Sequence, residues 1–461
     1  MTRVAQATVW PGWGSKRLPM RTVVLLICAG LAACTASAED VRPHEADEPD
    51  KALFFPTGAA VAPDDTVLFV ANANSDLTYD SGSVIVFDLA AVDQAASAWT
   101  TTKDKGGCEV DPDHIETLVC SEEHFLMPNA GARIGNFATD IAVQDFKTGG
   151  PLRLIVPTRG DPSIAWIDWD GSKLSCNETT GGFALCDADH RLSYVHNDPD
   201  VGLLPDEPFD AFAGKDFAMV THLTSGAVTL VDSPPGGKAT IADVTSGLFA
   251  PDPLTGLRGS TGIAGRGDSG LVYVGSRSED RIQMLEVGRP VNAAPYLVAD
   301  NYFFLDFVGN NNNGNGSSDT RGMAFSANGD RLYLVNRRPP SLQIFDTSLG
   351  PTGFPKNKGI AATDLCRDAS TLAVMDGGAG DRAYVSCFSD GELYVVDPRG
   401  QASLEDIVLV GRGPYAVAAA PTRKKVYVTN FLEDTVAVID VDPTSPTYNR
   451  VVLRIGEPRT L

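Results

Sequence analysis

The feature that most constrains the fold is a pair of short patterns that recurs seven times along the chain. The first is an apolar, β-branched segment that ends in an acidic residue; the seven acids are Asp88, Asp168, Asp232, Glu286, Asp346, Asp397 and Asp440. The second is an upstream segment with a small residue at a fixed place; these are Ala60, Ala142, Ala213, Ala264, Ala324, Ala373 and Ala418. Seven copies in phase predict seven structural units of one kind.

Each copy has the composition of an antiparallel sheet. Short β-branched and apolar runs are separated by polar turns, and the spacing leaves room for about four strands per copy. Seven such sheets predict an all-β chain folded as a seven-bladed β-propeller with four-stranded antiparallel blades. No long window has the 3.6-residue period of a helix. A β-sandwich, or two stacked domains, is the alternative. The alanines fit the crowded propeller axis, and the acids are expected to cap the turns that follow them.

The motif Tyr-Val-Thr-Asn at residues 427–430 resembles the YVTN-type propeller repeat family. Looser copies lie at residues 69–72, 333–336 and 384–387, and the resemblance extends over residues 53–461. The second, third and fourth copies depart from it, since Thr158, His222 and Ser276 stand in place of the Asn. The resemblance implies a propeller. Related propellers act as lactone hydrolases, as cofactor-bearing oxidoreductases or as surface-layer proteins.

The N-terminus predicts a bacterial lipoprotein. Basic residues precede an apolar run at residues 22–30, which is too short to span a bilayer. Leu-Ala-Ala-Cys at residues 31–34 resembles a lipobox, so residues 1–33 are predicted to be a signal peptide and Cys34 to carry palmitate and other acyl chains. An ordinary signal peptide with a chance Cys is the alternative. Met20 is a second candidate start.

Charge and composition limit the partners. The 461 residues carry a formal net charge of −22, which argues against nucleic-acid binding because that requires a basic surface. Residues 34–52 are acidic and have no apolar period, so they predict a flexible tether between lipid and propeller. Thr35 follows the predicted lipidated Cys and favours the outer membrane over the inner one. A monomer in the cell envelope, facing away from the cytoplasm, is expected.

Six cysteines remain in the predicted mature domain, in three close pairs: Cys108 and Cys120, Cys176 and Cys186, Cys366 and Cys387. An oxidising envelope favours disulfides. Six cysteines permit fifteen connectivities, so nearest-neighbour pairing is a hypothesis. In the predicted topology Cys366 and Cys387 lie side by side. The other two pairs lie in long insertions after the third strands of the first two blades, which are expected to project from one face. Zinc is the competing interpretation, although no CxxC spacing occurs.

The opposite face, where loops enter the inner strands, is predicted to collect basic residues around the channel mouth. A ring of guanidiniums there would accept carboxylate or phosphate. The candidate ligand-binding residues are Arg159, His222, Arg277, Arg321, Arg337 and Arg412. The alternative is that each Arg pairs with a loop acid such as Asp161, Asp280 or Asp319.

No catalytic motif is present. GxSxG, HExxH, P-loop and CxxCH patterns are missing, so no catalytic residue, metal ligand or cofactor is assigned. A binding or interaction scaffold for an anionic small molecule or a protein is therefore the leading hypothesis. A propeller enzyme, either a lactonase or a cofactor-dependent oxidoreductase, is the second; Asp140, Asp210 and Asp319 would then be the carboxylates nearest to a channel metal. A surface-adhesion protein is the third.

Overall fold

The structure is a computed structural model that describes residues 52–459, except 129, 148–149, 177, 181–182, 194–202, 254, 267–269 and 306–317. The predicted signal peptide, Cys34 and nearly all of the predicted tether lie outside the described residues. Ala52, assigned to the tether, is buried, and its backbone N–H donates to Glu122. No helix among the described residues is long and apolar enough to cross a bilayer.

The strands form seven sheets, which are the blades of the predicted seven-bladed propeller. Blade 1 and its insertion contain β1 (Pro56–Val61), β2 (Val67–Asn72), β3 (Gly82–Asp88), helix α1 (Leu89–Thr102), β4 (Glu109–Val110), β5 (Leu118–Cys120), a 3₁₀ turn (Glu122–His124) and β6 (Gly131–Ile134). Blade 2 and its insertion contain β7 (Ala142–Gln144), β8 (Leu152–Thr158), β9 (Ser163–Trp169), β10 (Leu174–Ser175), β11 (Glu178–Thr180), β12 (Phe183–Leu185), a 3₁₀ turn (Ala188–His190) and β13 (Arg191–Leu192).

Blades 3 to 7 are regular four-stranded meanders. Blade 3 contains β14 (Pro208–Ala213), β15 (Phe217–His222), β16 (Val228–Asp232) and β17 (Thr240–Thr245). Blade 4 contains β18 (Ser260–Gly265), β19 (Val272–Ser276), β20 (Arg281–Gly288) and β21 (Tyr296–Phe304). Blade 5 contains β22 (Thr320–Phe325), β23 (Arg331–Arg337), β24 (Pro340–Asp346) and β25 (Lys358–Asp364). Blade 6 contains β26 (Ala369–Asp376), β27 (Asp381–Cys387), β28 (Glu392–Asp397) and β29 (Ser403–Leu409). Blade 7 contains β30 (Pro414–Ala420), β31 (Lys425–Asn430), β32 (Thr435–Asp440) and β33 (Arg450–Ile455).

The two repeated sequence columns have clear structural roles. Five of the seven alanines lie opposite an aromatic ring on the second strand, namely Ala60, Ala264, Ala324, Ala373 and Ala418 opposite Phe69, Tyr273, Tyr333, Tyr384 and Tyr427. Because neighbouring first strands contact one another around the axis, a small residue leaves space for these buried rings. The predicted capping role of the acids is confirmed at four positions, where Asp88, Asp346, Asp397 and Asp440 accept backbone N–H groups.

The inner strands share a bulge where each enters the channel. In the first strands of blades 1 and 3–7 the pairing register slips by one residue near the start, and blade 2 shows the same slip between the Ala138–Thr158 bridge and β7. A bulge redirects side chains that would otherwise lie flat against the neighbouring sheet. Glycine occupies the second bulge position where blades approach most closely: a Cβ on Gly262 would lie 1.8 Å from the Arg321 carbonyl oxygen. The bulges therefore line the channel mouth with selected side chains.

The insertions differ from the sequence-based expectation. They do not simply project from one face, because their strands extend neighbouring sheets: β5 pairs in parallel with β33 of blade 7, and β12 pairs in parallel with β6 of blade 1. Blade 7 packs against blade 1 through their first strands, and the blade 1 insertion also donates β5 to the outer edge of blade 7. A parallel pair between blades is a long-range contact that no turn signal announces.

All three nearest-neighbour disulfides are present: Cys108–Cys120, Cys176–Cys186 and Cys366–Cys387. The first one closes the hairpin of β4 and β5, which reaches blade 7. The third joins the loop before β26 to the end of β27, as the predicted topology requires. Two disulfides thus lie in the insertions of blades 1 and 2, and the third holds the loop that enters the first strand of blade 6.

Candidate functional site

A cavity of about 330 Å³ lies on the propeller axis, at the face where the loops enter the inner strands. All seven blades contribute to its lining. The lining residues are Thr57, Thr139, Asp140, Arg159, Phe209, Asp210, Leu223, Arg277, Arg321, Gly322, Arg337, Ser370, Thr371, Phe388, Tyr415 and Ala416. The volume falls within the range of small-molecule sites in proteins.

Two places in each blade supply most of this lining. One is the two-residue bulge of the first strand: Arg321 and Tyr415 are first bulge residues, and Asp140 and Asp210 are second bulge residues. The other is the residue that follows the Asn position of the YVTN-like motif. Around the ring this second position is Ala73, Arg159, Leu223, Arg277, Arg337, Phe388 and Phe431. This position is therefore arginine in blades 2, 4 and 5 and phenylalanine in blades 6 and 7.

Two of the four cavity arginines have a carboxylate partner. Arg159 is ion-paired with Glu207, from the loop that enters blade 3. Arg321 Nε lies 2.8 Å from Asp319 Oδ1, and its Nη2 lies 3.1 Å from Oδ2. Both pairs orient a guanidinium at the cavity wall while neutralising its charge.

The other two arginines differ. Arg337 donates to the Ala369 carbonyl and to Ser370 Oγ, each at 2.6 Å, which fixes its plane without neutralising it. Neither Arg277 nor Arg337 has a carboxylate within ion-pair distance among the described residues. Burial, followed by the nearby Arg321 charge, lowers the pKa of both groups, that of Arg337 to about 10. The site therefore holds two cations that lack a counter-charge of their own.

A carboxyl pair lies on the same cavity. Asp140 and Asp210 occupy equivalent bulge positions on adjacent blades, where five other blades carry Gly58, Gly262, Gly322, Thr371 and Ala416. The Ala211 N–H lies 3.0 Å from Asp140 Oδ2 and 3.0 Å from Asp210 Oδ1. Burial raises the pKa of both carboxyls, and the charge of Asp140 together with a hydrogen bond between the two raises that of Asp210 further. The pair consequently retains a proton more readily than isolated aspartates do.

An aromatic wall completes the cavity. Phe388 and Tyr415 line it, with ring centroids 6.5 Å apart, and Phe431 lies 6.1 Å and 6.2 Å from them. Burial raises the pKa of the Tyr415 hydroxyl, which interacts electrostatically with Arg321, Arg159 and the carboxyl pair. A ligand in this cavity thus meets guanidiniums, a carboxyl pair and aromatic faces.

Four of the six predicted ligand-binding residues line the cavity, and His222 does not. Its side chain is fully buried; Nδ1 lies 3.1 Å from the Asp206 carbonyl oxygen and Nε2 lies 2.8 Å from Thr229 Oγ1. Burial lowers its pKa to about 4. It occupies the motif's Asn position, where Asn72 and Asn430 make similar hydrogen bonds to loops. Since successive side chains of a strand point in opposite directions, the next residue, Leu223, faces the cavity instead.

Arg412 also lies elsewhere. Its Nε is 3.2 Å from Glu433 Oε1, Nη2 donates to the Arg459 carbonyl, and it lines a separate groove beside the blade 1 insertion. Of the three carboxylates nearest to a possible channel metal, Asp140 and Asp210 meet, whereas Asp319 is occupied by Arg321. Among the described residues no cluster of three or more His, Cys, Asp or Glu side chains is arranged to hold a metal ion.

Sequence reasoning missed the aromatic wall and the pairing of the two aspartates. A signal for the pair was present, since Asp140 and Asp210 interrupt a column of Gly, Ala and Thr. That column becomes visible only when the bulge is aligned between blades. The aromatic residues at positions 388 and 431 replace arginine in a second column and could be found in the same way.

No known family profile matches the sequence, and no curated protein matches it. Similarity to solved structures is extensive but distant. A putative 6-phosphogluconolactonase from Bacteroides fragilis is 12% identical, with a TM-score of 0.56, and the match covers 85% of this chain and 98% of that one. A periplasmic gluconolactonase from Pseudomonas aeruginosa is 15% identical, with a TM-score of 0.50 and coverage of 78% and 86%. Hydrazine synthase from Kuenenia stuttgartiensis is 12% identical, with a TM-score of 0.50 and coverage of 86% and 97%. Such likeness establishes the propeller fold, and the different names illustrate that this fold carries many functions.

Proposed function

We propose that this propeller is a binding protein of the bacterial envelope that captures a small organic anion in its central cavity. The observation that supports this most directly is the pair Arg277 and Arg337, which face a 330 Å³ cavity without a carboxylate partner among the described residues. Keeping cations partly buried without a counter-charge is costly. An anionic ligand would supply that charge, and guanidiniums hold carboxylate and phosphate with two hydrogen bonds each.

The cavity also suits the remainder of an organic acid. Phe209, Phe388 and Tyr415 offer apolar and aromatic surface beside the guanidiniums. Small-molecule sites generally combine an apolar lining with a few polar groups that orient the ligand. Inorganic phosphate would use the arginines alone, whereas an organic acid would use both features. We therefore expect an aromatic carboxylate such as benzoate to bind more tightly than acetate.

Calorimetric titration of the full-length protein with benzoate, acetate and phosphate tests this proposal. Arg277→Gln and Arg337→Gln each remove one positive charge and should weaken benzoate binding by about tenfold, the equivalent of about 1.4 kcal/mol. Arg399→Gln is the matched control, because Arg399 is exposed, is paired with Asp397 and lies outside the cavity. Equal affinity in all four proteins, or no binding of any anion, would overturn the proposal.

We also propose that the chain is attached to a membrane by lipid on Cys34, with the outer membrane as the favoured site and the propeller outside the cytoplasm. The lipobox-like residues 31–34 and the three disulfides support an oxidising compartment. Mass spectrometry of the mature N-terminus should find a diacylated Cys34. Cys34→Ala should release the protein into the soluble envelope fraction; retention in the membrane would contradict the assignment.

A second candidate function is hydrolysis of a lactone, and the Asp140–Asp210 pair is the observation that favours it. An ionised carboxylate of the pair would accept a proton from water as that water attacks the lactone carbonyl, and an arginine would stabilise the oxyanion. Ring opening would then break the acyl C–O bond, the protonated carboxyl would return its proton to the departing alkoxide oxygen, and a hydroxy acid would remain. Structural neighbours include proteins described as lactonases. Glucono-δ-lactone provides the test: a hydrolysis rate equal to the spontaneous one would exclude this candidate for that substrate.

A further inference from the structure

The Asp140–Asp210 pair gives the central cavity a second polar feature with its own chemistry. Asp140 Oδ2 and Asp210 Oδ1 both lie 3.0 Å from one nitrogen, that of Ala211. Two carboxylates that share one N–H donor repel each other when both groups are ionised. One proton shared between the groups removes the repulsion, and the pair then titrates as a unit.

In the part of the chain that the structure describes, no cation ion-paired with the two carboxyls replaces that proton. The charged and titratable groups that line the same cavity are Arg159, Arg277, Arg321, Arg337 and Tyr415. Glu207 neutralises Arg159 and Asp319 neutralises Arg321. Neither aspartate of the pair has an ion-pair partner among the described residues. Each instead accepts backbone N–H groups, which hold the carboxyls in place without cancelling a second negative charge.

We propose that this carboxyl pair is a proton-bearing subsite that recognises a hydroxyl group of the ligand, so that the ligand is a small hydroxylated aromatic acid with one anionic group. This inference rests on the proposed function, because the anionic group is the one that Arg277 and Arg337 hold. The aromatic part follows from Phe388 and Tyr415, which form one wall of the cavity.

A hydroxyl group fits a singly protonated carboxyl pair because both partners donate and accept. The hydroxyl hydrogen is donated to an ionised carboxylate oxygen, and the proton of the pair is donated to the hydroxyl oxygen. A second carboxylate on the ligand offers acceptors only and adds a negative charge beside Asp140. The subsite therefore selects against dianions although the cavity contains four arginines.

Three probes of one shape separate these effects: benzoate, 4-hydroxybenzoate and terephthalate, which carries a carboxylate at each end. They are titrated calorimetrically against the full-length protein at about pH 7, where the phenol is neutral. We expect 4-hydroxybenzoate to bind about fivefold more tightly than benzoate, as one added neutral hydrogen bond provides. We expect terephthalate to bind about tenfold more weakly than benzoate, because its second charge faces the pair.

The variant Asp140→Asn/Asp210→Asn tests the subsite separately from the arginines. Two amides remove the negative charge and supply donors, so terephthalate should become the tightest of the three probes. A change that merely loosened the cavity would weaken all three alike. Equal binding of the three probes to the wild type, or an unchanged order in the double variant, would overturn the inference and leave the proposed function standing. If none of the probes bound, the proposed function would fall as well.

Discussion

Arg153, which lies between blades 2 and 3, and the arginines at the centre of the propeller have opposite environments. Arg153 is only 1% exposed, yet its Nε lies 2.7 Å from Asp168 Oδ1, and its guanidinium carbon is 4.3 Å from the Trp166 ring centroid. Arg277 and Arg337 line the central cavity, and neither has a carboxylate within ion-pair distance among the described residues. Arg153 is matched within the chain and stabilises it. Arg277 and Arg337 have no such partner, and the proposed function assigns that role to an anionic ligand.

The largest expected effect on stability comes from breaking the ion pair between Arg153 and Asp168. Arg153→Met leaves Asp168 without its cation and removes hydrogen bonds to Ser233 Oγ and the Gly237 carbonyl. We expect the free energy of unfolding to fall by about 3 kcal/mol, at the low end for a buried pair because Asp168 keeps some solvent contact. Denaturation in urea measures this. Arg277→Gln is the central counterpart and should change stability by less than about 0.5 kcal/mol. Equal losses in the two variants would contradict the comparison.

The next effect concerns the hairpin that joins blade 1 to blade 7. Cys108→Ser/Cys120→Ser releases a bridge that spans 12 residues of sequence and should cost about 2 kcal/mol of stability. Because the hairpin adds to the outer edge of blade 7, the affinity of the cavity for benzoate should not change. Urea denaturation and calorimetry of the same sample test both parts. If the variant bound benzoate more weakly under conditions in which it is fully folded, the hairpin at the outer edge of blade 7 would influence the shape of the cavity.

The smallest effect is a difference in pH dependence. A hydrogen bond from Arg399 lowers the pKa of Asp397 to about 2, so this group stabilises the fold at neutral pH and loses that contribution as pH falls from about 4 to about 2. Burial raises the pKa of Asp210, so the folded state holds this proton more tightly than the unfolded chain does, and stability falls as pH rises above about 4. Asp397→Asn should therefore reduce stability at neutral pH, whereas Asp210→Asn should increase it.

Urea denaturation at a series of pH values tests this opposition. Both differences from the wild type should shrink in acid, that of Asp210→Asn near pH 4 and that of Asp397→Asn near pH 2. If Asp210→Asn destabilised the protein at neutral pH, folding would not favour the protonated form of Asp210 as the geometry of the pair implies.

Much of this architecture could be predicted from the sequence because the blades repeat. Seven acids in phase fix the number of sheets, and six of the seven alanines share that phase; in blade 3 the equivalent residue is Phe212, and Ala213 lies one position further along. The same phase places Arg159, Arg277 and Arg337 in equivalent loops. The repeat pattern did not predict which side chains point into the cavity. His222 is one residue away from the column that faces the cavity, and the residue beside it is the one that lines the site.

Interactions between blades were the other feature that the sequence did not predict. The parallel pairing of β5 with β33 and the contact of Asp140 with Asp210 both join segments that local patterns treat separately. Neither has a turn or spacing signal within one repeat. The bulge that aims both aspartates at the channel is a register shift, and it becomes visible only when the strands are paired.

The most direct test of the central claim is a crystal structure of the protein soaked with 4-bromobenzoate, with the bromine located by anomalous scattering. The account predicts one bromine within the central cavity, the carboxylate hydrogen-bonded to Arg277 and Arg337, and the ring against Phe388 or Tyr415. An empty cavity with the acid bound elsewhere on the propeller, or a carboxylate turned away from both arginines, would contradict it.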